Sequence, residues 1–338
     1  MSLSRSEFDQ YAREGFNRIP LVREVLADLD TPLSTYVKLA NAPYSYLFES
    51  VQGGEKWGRY SIIGLPCRTV MRARGTEASV ERDGKVVERT RVDDPLEFVR
   101  AFKQRYHMPQ IANLPRFTGG LVGYFGYETV RFMEPKLGAL DKPDEIDAPD
   151  IMLLVSDEVV VFDNLAGKLY VVIHVNPQIE QAYDKACRRL DELVARLRDA
   201  VRLPSVQPVS KPVNETDFVS GFTRAPFEAA VERARAYIRD GDIMQVVLAQ
   251  RLSIPYAPTP LDLYRALRTL NPSPYMYFVD LKGFHIVGSS PEILVRLEDD
   301  LVTLRPIAGT RRRGRDDADD ARLEHELLSD PKERAEHL

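Results

Sequence analysis

The chain has 338 residues, 44% of them hydrophobic and 29% charged, with a formal net charge of -5. That length accommodates about two domains and a sizeable buried core. The mild acid excess argues against a nucleic-acid binder, whose phosphate partner demands a concentrated basic surface.

The start, MSLSRSEFDQYAREGF, is polar and lacks the apolar core of a secretory signal. No apolar stretch approaches the ~20 residues of a membrane-spanning helix. Cys67 and Cys187 lie far apart and outside any CxxC pair, so two reduced thiols and a cytoplasmic location are expected.

In chain order, PYSYLFESV, RYSIIGL and RTVMRARG are short β-prone runs rich in aromatic and β-branched residues. ASVERDGKVVERTRV alternates about Asp83-Gly84, a strong hairpin signal. The run IMLLVSDEVVVFDNLAGKLYVVIHV predicts a second hairpin turning at Asp163 to Gly167. A long helix should follow, capped by Asn176 with Pro177 in its first turn. Its apolar face is Tyr183, Ala186, Cys187, Leu190, Leu193, Val194 and Leu197.

Residues 202–225 open with a proline-rich polar stretch and serve as the expected linker between an amino-terminal domain (1–201) and a second domain (226–338). A helix is expected from about Pro226 to Gly241, with Phe227, Val231, Ala234 and Ile238 as its stripe. MQVVLAQRLSI then reads as a strand, PLDLYRALRTL as a helix, and MYFVDL, FHIVGS, ILVRLE and LVTLRPI as successive strands. Consecutive strands with short turns predict an α+β fold of antiparallel sheets with packed helices.

No GxSxG, P-loop or GxGxxG is present, and the five histidines are scattered. The glycines of FTGGLVGYFGYE suit close backbone approach in a strand pair better than a phosphate loop. Two segments could carry chemistry. In RPIAGTRRRG, Gly309 permits close approach of a ligand, Thr310 offers a hydroxyl, and the arginines match carboxylates. The same arginines could instead pair with Asp316, Asp317, Asp319 and Asp320 in water. In DPKERAEHL, a helix starting at Asp330-Pro331 sets Glu333 and Glu336 three apart on one face, where they could share Mg²⁺. Asp330 and Glu333 could equally form a capping box.

Taken together, YLFES (46–50), FTGGLVGYFGYE (117–128), GDIMQVVLAQR (241–251), NPSPYMYF (271–278), VGSSPE (287–292), RPIAGTRRRG (305–314) and DPKERAEHL (330–338) resemble the anthranilate synthase component I family in order and approximate spacing. Each segment alone is weak, but seven in sequence are specific. The resemblance implies the chorismate-utilising fold, chorismate contacts at Gly309 and Thr310, and Mg²⁺ ligation at Glu336 with Glu333. It also implies amination of chorismate at C2, loss of the ring hydroxyl and elimination of pyruvate, with ammonia from a glutamine amidotransferase subunit. A feedback site for tryptophan is implied at Glu49, Ser50, Pro274, Tyr275 and Met276, where an aromatic and a thioether would sandwich the indole and a carboxylate would meet the ammonium.

Sibling aminodeoxychorismate synthases typically carry lysine where Ala308 stands, and isochorismate and salicylate synthases carry one near Gln245. Alanine and glutamine cannot serve as nucleophile or base, which favours the anthranilate branch. Arg312 stands where relatives often have proline. The family's chain continues past AEHL, so the resemblance implies a truncated, catalytically incomplete chain whose remaining catalytic residues lie beyond Leu338. The rival expectation is a non-catalytic module that binds tryptophan or a partner subunit.

Overall fold

The computed structural model describes residues 3–50, 59–138, 144–201, 212–305 and 309–337. The chain forms two compact units, Met1–Val201 with Leu267–Leu338, and Arg202–Ala266. This differs from the expected partition at 226. The strands β13 (Tyr275–Asp280) and β14 (His285–Ser290) lie in the larger unit, where β13 pairs antiparallel with both β14 and β2 (Ser45–Glu49).

In the larger unit a seven-stranded sheet has the order β1-β10-β9-β3-β2-β13-β14, with β1 Ile19–Leu26, β3 Tyr60–Gly64, β9 Glu158–Asp163 and β10 Lys168–Val175. A five-stranded sheet has the order β6-β5-β4-β8-β7, with β4 Thr69–Arg74, β5 Glu77–Arg82, β6 Lys85–Arg91, β7 Gly120–Phe125 and β8 Ile151–Ser156. Every ladder in both sheets is antiparallel. The β5–β6 hairpin turns at Asp83 and Gly84, whose φ angles of 51° and 78° suit the tight turn read from the sequence.

The apolar run 151–175 contains one feature the sequence hid. At Asp157 the chain leaves the five-stranded sheet and enters the seven-stranded one, so β8 and β9 are not partners. All six residues of β8 are buried because both its faces are covered. Ile151, Leu153 and Val155 pack with Phe98 and Phe102 of helix α3 (Pro95–Lys103). Met152 and Leu154 face the other way and pack with Tyr46, Val279 and Leu281 of the larger sheet. The sheets therefore lie face to face. On the far side of the larger sheet lie α1 (Arg5–Arg13), α2 (Pro32–Leu39) and α5 (Ala182–Arg196).

Helix α5 starts at Ala182, not at Pro177, because Gln181 takes a left-handed conformation with φ 54° and breaks the helical run. Asn176 Oδ1 accepts from the Gln178 amide in the turn before it. A four-residue helix α4 (Val130–Met133) follows β7.

The smaller unit contains the two-residue pair β11 (Val219–Ser220) and β12 (Leu252–Ser253), helix α6 (Arg224–Asp240), and most of α7 (Pro260–Leu270). Gly241 ends α6 with φ 83°. None of that helix's residues is fully buried, and Ile238 of the expected stripe is 43% exposed. The expected strand over 244–254 shrinks to Leu252–Ser253; among the described residues no strand lies beside 244–251 to accept its backbone hydrogen bonds. Residues 202–211 of the expected linker lie outside the described residues.

The expected strands in ILVRLE and LVTLRPI form as a short pair, β15 (Arg296–Glu298) with β16 (Leu301–Thr303). Helix α8 (Asp317–Ser329), in a segment the sequence reading left without structure, is capped by Asp316, which accepts from the Asp319 amide at 2.8 Å. Helix α9 (Pro331–His337) follows. Among the described residues no helix is long and apolar enough to cross a membrane.

Candidate functional site

In the larger unit the ends of β2 and β13 wall a cavity of about 600 Å³. Glu49, Ser50, Pro274, Tyr275 and Met276 all line it, together with Phe48, Tyr60, Tyr124 and Tyr277. Ladder register explains the arrangement. Glu49 lies opposite Met276, and Phe48 opposite Tyr277. Successive strand residues point to opposite faces, yet Tyr275 and Met276 both border the cavity at the start of β13. Two of the aromatic rings, Tyr60 and Tyr124, come from the further strands β3 and β7, which sequence spacing alone could not assemble.

Glu49 is 4% exposed, and its carboxylate accepts two hydrogen bonds from Arg268 of α7, at 3.0 and 3.1 Å. A fork of this kind gives a buried carboxylate two charge-assisted hydrogen bonds. The carboxylate expected to meet an ammonium is thus already engaged by a guanidinium, and Arg268 is a participant that sequence reasoning missed. Gly288 and Gly64 have a packing role nearby. A Cβ on Gly288 would fall 2.2 Å from Cζ of Tyr277, and one on Gly64 would fall 1.9 Å from Cε1 of Tyr46. In each case an aromatic ring lies over the glycine of the neighbouring strand.

A second cluster forms where the Gly309 loop meets α9. A Cβ on Gly309 would lie 1.8 Å from Oε2 of Glu333, so a larger residue there would displace that carboxylate. Arg311 fixes the contact. It donates to Glu333 Oε1 at 3.0 Å and to Asp330 Oδ2 at 2.8 Å, and its Nε lies 3.4 Å from Glu326 Oε1. Hydrogen bonding to Glu333 raises the Arg311 pKa further, so the guanidinium stays charged. Asp330 Oδ1 accepts from the amides of Lys332 and Glu333 at the start of α9, which holds the Asp330 carboxyl below its ordinary range.

Gly309 and Glu333, 24 positions apart by number, are thus brought together, with Thr310 beside them and exposed. Glu336 is exposed on α9. Asp330 does cap the helix, but the Glu333 side chain is among those that bind Arg311. Arg311 in turn binds acids of α8 and α9, not the nearby Asp316–Asp320 run, whereas Arg313 pairs with Asp320 at 2.9 Å and Arg315 with Asp319 at 3.6 Å. Ala308 lies outside the described residues, and Gln245 is exposed in the smaller unit. Among the described residues no group of three or more His, Cys, Asp or Glu side chains is placed to hold a metal ion.

Residues 45–338 match the family model described as chorismate binding enzyme. The chain is 56% identical over 337 residues to anthranilate synthase component 1 of Pseudomonas putida, covering 99% of this chain and 68% of that protein. It is 51% identical over 339 residues to the Neisseria meningitidis serogroup A protein of the same name, with the same coverage. The crystal structure of anthranilate synthase component I from Streptococcus pneumoniae superposes with a TM-score of 0.67 at 29% identity, over 93% of this chain and 65% of that one. The menaquinone-specific isochorismate synthase of Escherichia coli, at 15% identity and a TM-score of 0.52, shares the fold over 98% of this chain and 64% of its own. The chain therefore spans about two thirds of the length of these relatives, and it belongs to the anthranilate synthase component 1 family of chorismate-binding enzymes.

Proposed function

We propose that this protein acts in anthranilate synthesis, converting chorismate and ammonia to anthranilate and pyruvate in the first step of tryptophan biosynthesis. The contact of Gly309 with the Glu333 carboxylate carries the reading. It unites the loop expected to touch chorismate with the helix expected to hold a hard cation. The Gly309 N–H and Thr310 hydroxyl would orient a substrate carboxylate, and Arg311 would hold the loop against α9.

The donor chemistry of α9 suits Mg²⁺, which takes one or two carboxylates and completes its shell with waters and anionic substrate groups. Glu336 and Glu333 would hold it. When bound, the ion would act as a Lewis acid on the substrate carboxylate. Ammonia would come from a glutamine amidotransferase subunit. By itself the 338-residue chain, which spans about two thirds of the length of its relatives, is proposed to be inactive.

The cavity at β2 and β13 is proposed as the tryptophan feedback site. Its support is that all five expected residues line it and that its aromatic walls suit an indole. A second reading, a tryptophan-binding module without catalysis, rests on the same cavity.

Two measurements test these readings. Full-length protein given chorismate, ammonium and Mg²⁺ should form fluorescent anthranilate, and Glu336→Gln should abolish it. Formation of 4-amino-4-deoxychorismate instead would overturn the assignment. Calorimetry should detect tryptophan binding to the 338-residue chain and its loss in Ser50→Phe; no binding by either protein removes both the feedback site and the module reading.

A further inference from the structure

A second cavity in the larger unit, of about 440 Å³, lies on the α3 side of the five-stranded sheet. None of the residues discussed for chorismate, Mg²⁺ or tryptophan lines it. Its volume is that of a small-molecule site, about 300–1,000 Å³. Phe117, Leu121, Leu153 and Val155 are among its apolar walls, with Met108 and Phe125, 42% and 51% exposed, where it opens.

Three charged side chains line it: Arg18, Lys103 and Asp157. Arg18 Nε donates to Asp157 Oδ1 at 3.0 Å, so these two cancel. The ammonium of Lys103 has no hydrogen-bond or ion-pair partner among the described residues. The lining thus keeps one uncompensated positive charge.

His174 adds a directional demand. It is 6% exposed, and its Nε2 lies 2.8 Å from the Thr118 carbonyl oxygen. A carbonyl oxygen only accepts, so Nε2 carries the hydrogen and Nδ1 presents a lone pair. Nδ1 is buried and makes no hydrogen bond among the described residues, although the Arg18 backbone also acts on the ring. An orphaned buried acceptor is costly and asks for a donor. Gly119 makes the arrangement possible, since a Cβ there would lie 2.6 Å from the His174 ring.

One negative charge, a flat apolar body and one N–H or O–H donor would complement this lining. We propose that the cavity is a binding site for an aromatic monocarboxylate bearing a hydroxyl or amino group, with its carboxylate at Lys103 and its donor on His174 Nδ1. Calorimetry and ¹⁵N–¹H spectra of the 338-residue chain test this with 4-hydroxybenzoate, benzoate and 4-hydroxybenzyl alcohol as probes. The first should saturate a single site and shift the amides of Lys103 and Gly119–Leu121. Benzoate, without the donor, should bind about tenfold more weakly, and the uncharged alcohol should not saturate.

Lys103→Glu, on the exposed face of α3, should abolish binding without altering the far-ultraviolet spectrum, while Lys103→Arg retains it. Ser50→Phe should leave binding intact. The proposal is overturned if 4-hydroxybenzoate fails to saturate, if Lys103→Glu binds as well as the original chain, or if Ser50→Phe removes binding and so assigns the probe to the other cavity.

Discussion

Lowering the pH from 7.5 to 5 should destabilise the protein through His174, and His174→Gln should remove that effect. Burial pushes the imidazole down from its ordinary 6.5 to about 4. As the pH falls, the unfolded chain therefore binds a proton before the folded one does. Stability is fully present above pH 6.5 and is lost as the pH falls towards 4. A depression of about 2.5 units is worth about 3 kcal/mol at 1.36 kcal/mol per unit, of which about 2 kcal/mol is already lost at pH 5.

Asp157 acts in the opposite sense, since burial raises its carboxyl pKa and the folded state takes up that proton early. The difference between wild type and variant isolates the histidine. Glutamine keeps an N–H for the Thr118 carbonyl, so the hydrogen bond that orients the ring is not the quantity being measured. Urea unfolding at both pH values supplies the free energies, and the His174 ring resonance reports its pKa directly. Titration of His174 near 6.5, or parallel pH dependence in wild type and variant, would refute the reasoning.

Other substitutions probe the two clusters. Gly123→Ala would set a Cβ 1.9 Å from the Met152 carbonyl oxygen, so β7 must separate from β8. Urea unfolding should register a loss of about 2–3 kcal/mol or more. Arg268→Met removes the fork on a carboxylate whose side chain is 2% exposed. The expected cost is about 2 kcal/mol, a low value for a broken buried pair because the arginine itself is partly in water, and adding Glu49→Gln should recover most of it. Arg311→Met takes a shared cation from Glu326, Asp330 and Glu333. Amides in the first turn of α9 should then exchange about tenfold faster by mass spectrometry, and unchanged exchange would show that Arg311 does not hold the helix.

Local chemistry was legible where one or two residues determine the conformation. Asp83-Gly84 and Gly241 specify positive φ, and Asp330-Pro331 specifies a helix start. The boundary at Asp157 was not legible. A strand buried on both faces reads as a continuous apolar run, and nothing in IMLLVSDEVVVF marks a change of sheet. The start of α5 was misread because Asn176-Pro177 is a sound cap in isolation, whereas the left-handed Gln181 is set by the surrounding structure.

Gly309, Thr310, Glu333 and Glu336 could be singled out from their own chemistry, whereas the residues of the β2–β13 cavity were reached through resemblance, since Glu49 and Met276 become neighbours only through a pairing between remote strands. Arg268 escaped notice, and the acids that Arg311 binds were not foreseen, for a related reason. A single arginine among many gains meaning only from the acids it meets.

The pairing of β13 with β2 has a consequence for biosynthesis. Glu49 and Arg268, which face each other across this region, are 219 residues apart. When the first 201 residues have left the ribosome, β2 still lacks its neighbour and presents open backbone N–H and C=O groups. At roughly 5–20 residues per second, the ~75 residues that precede β13 keep it bare for about 4–15 s. An unprotected margin invites strand addition by another nascent chain, so misassembly should concentrate in that interval and lessen once residue 280 has emerged.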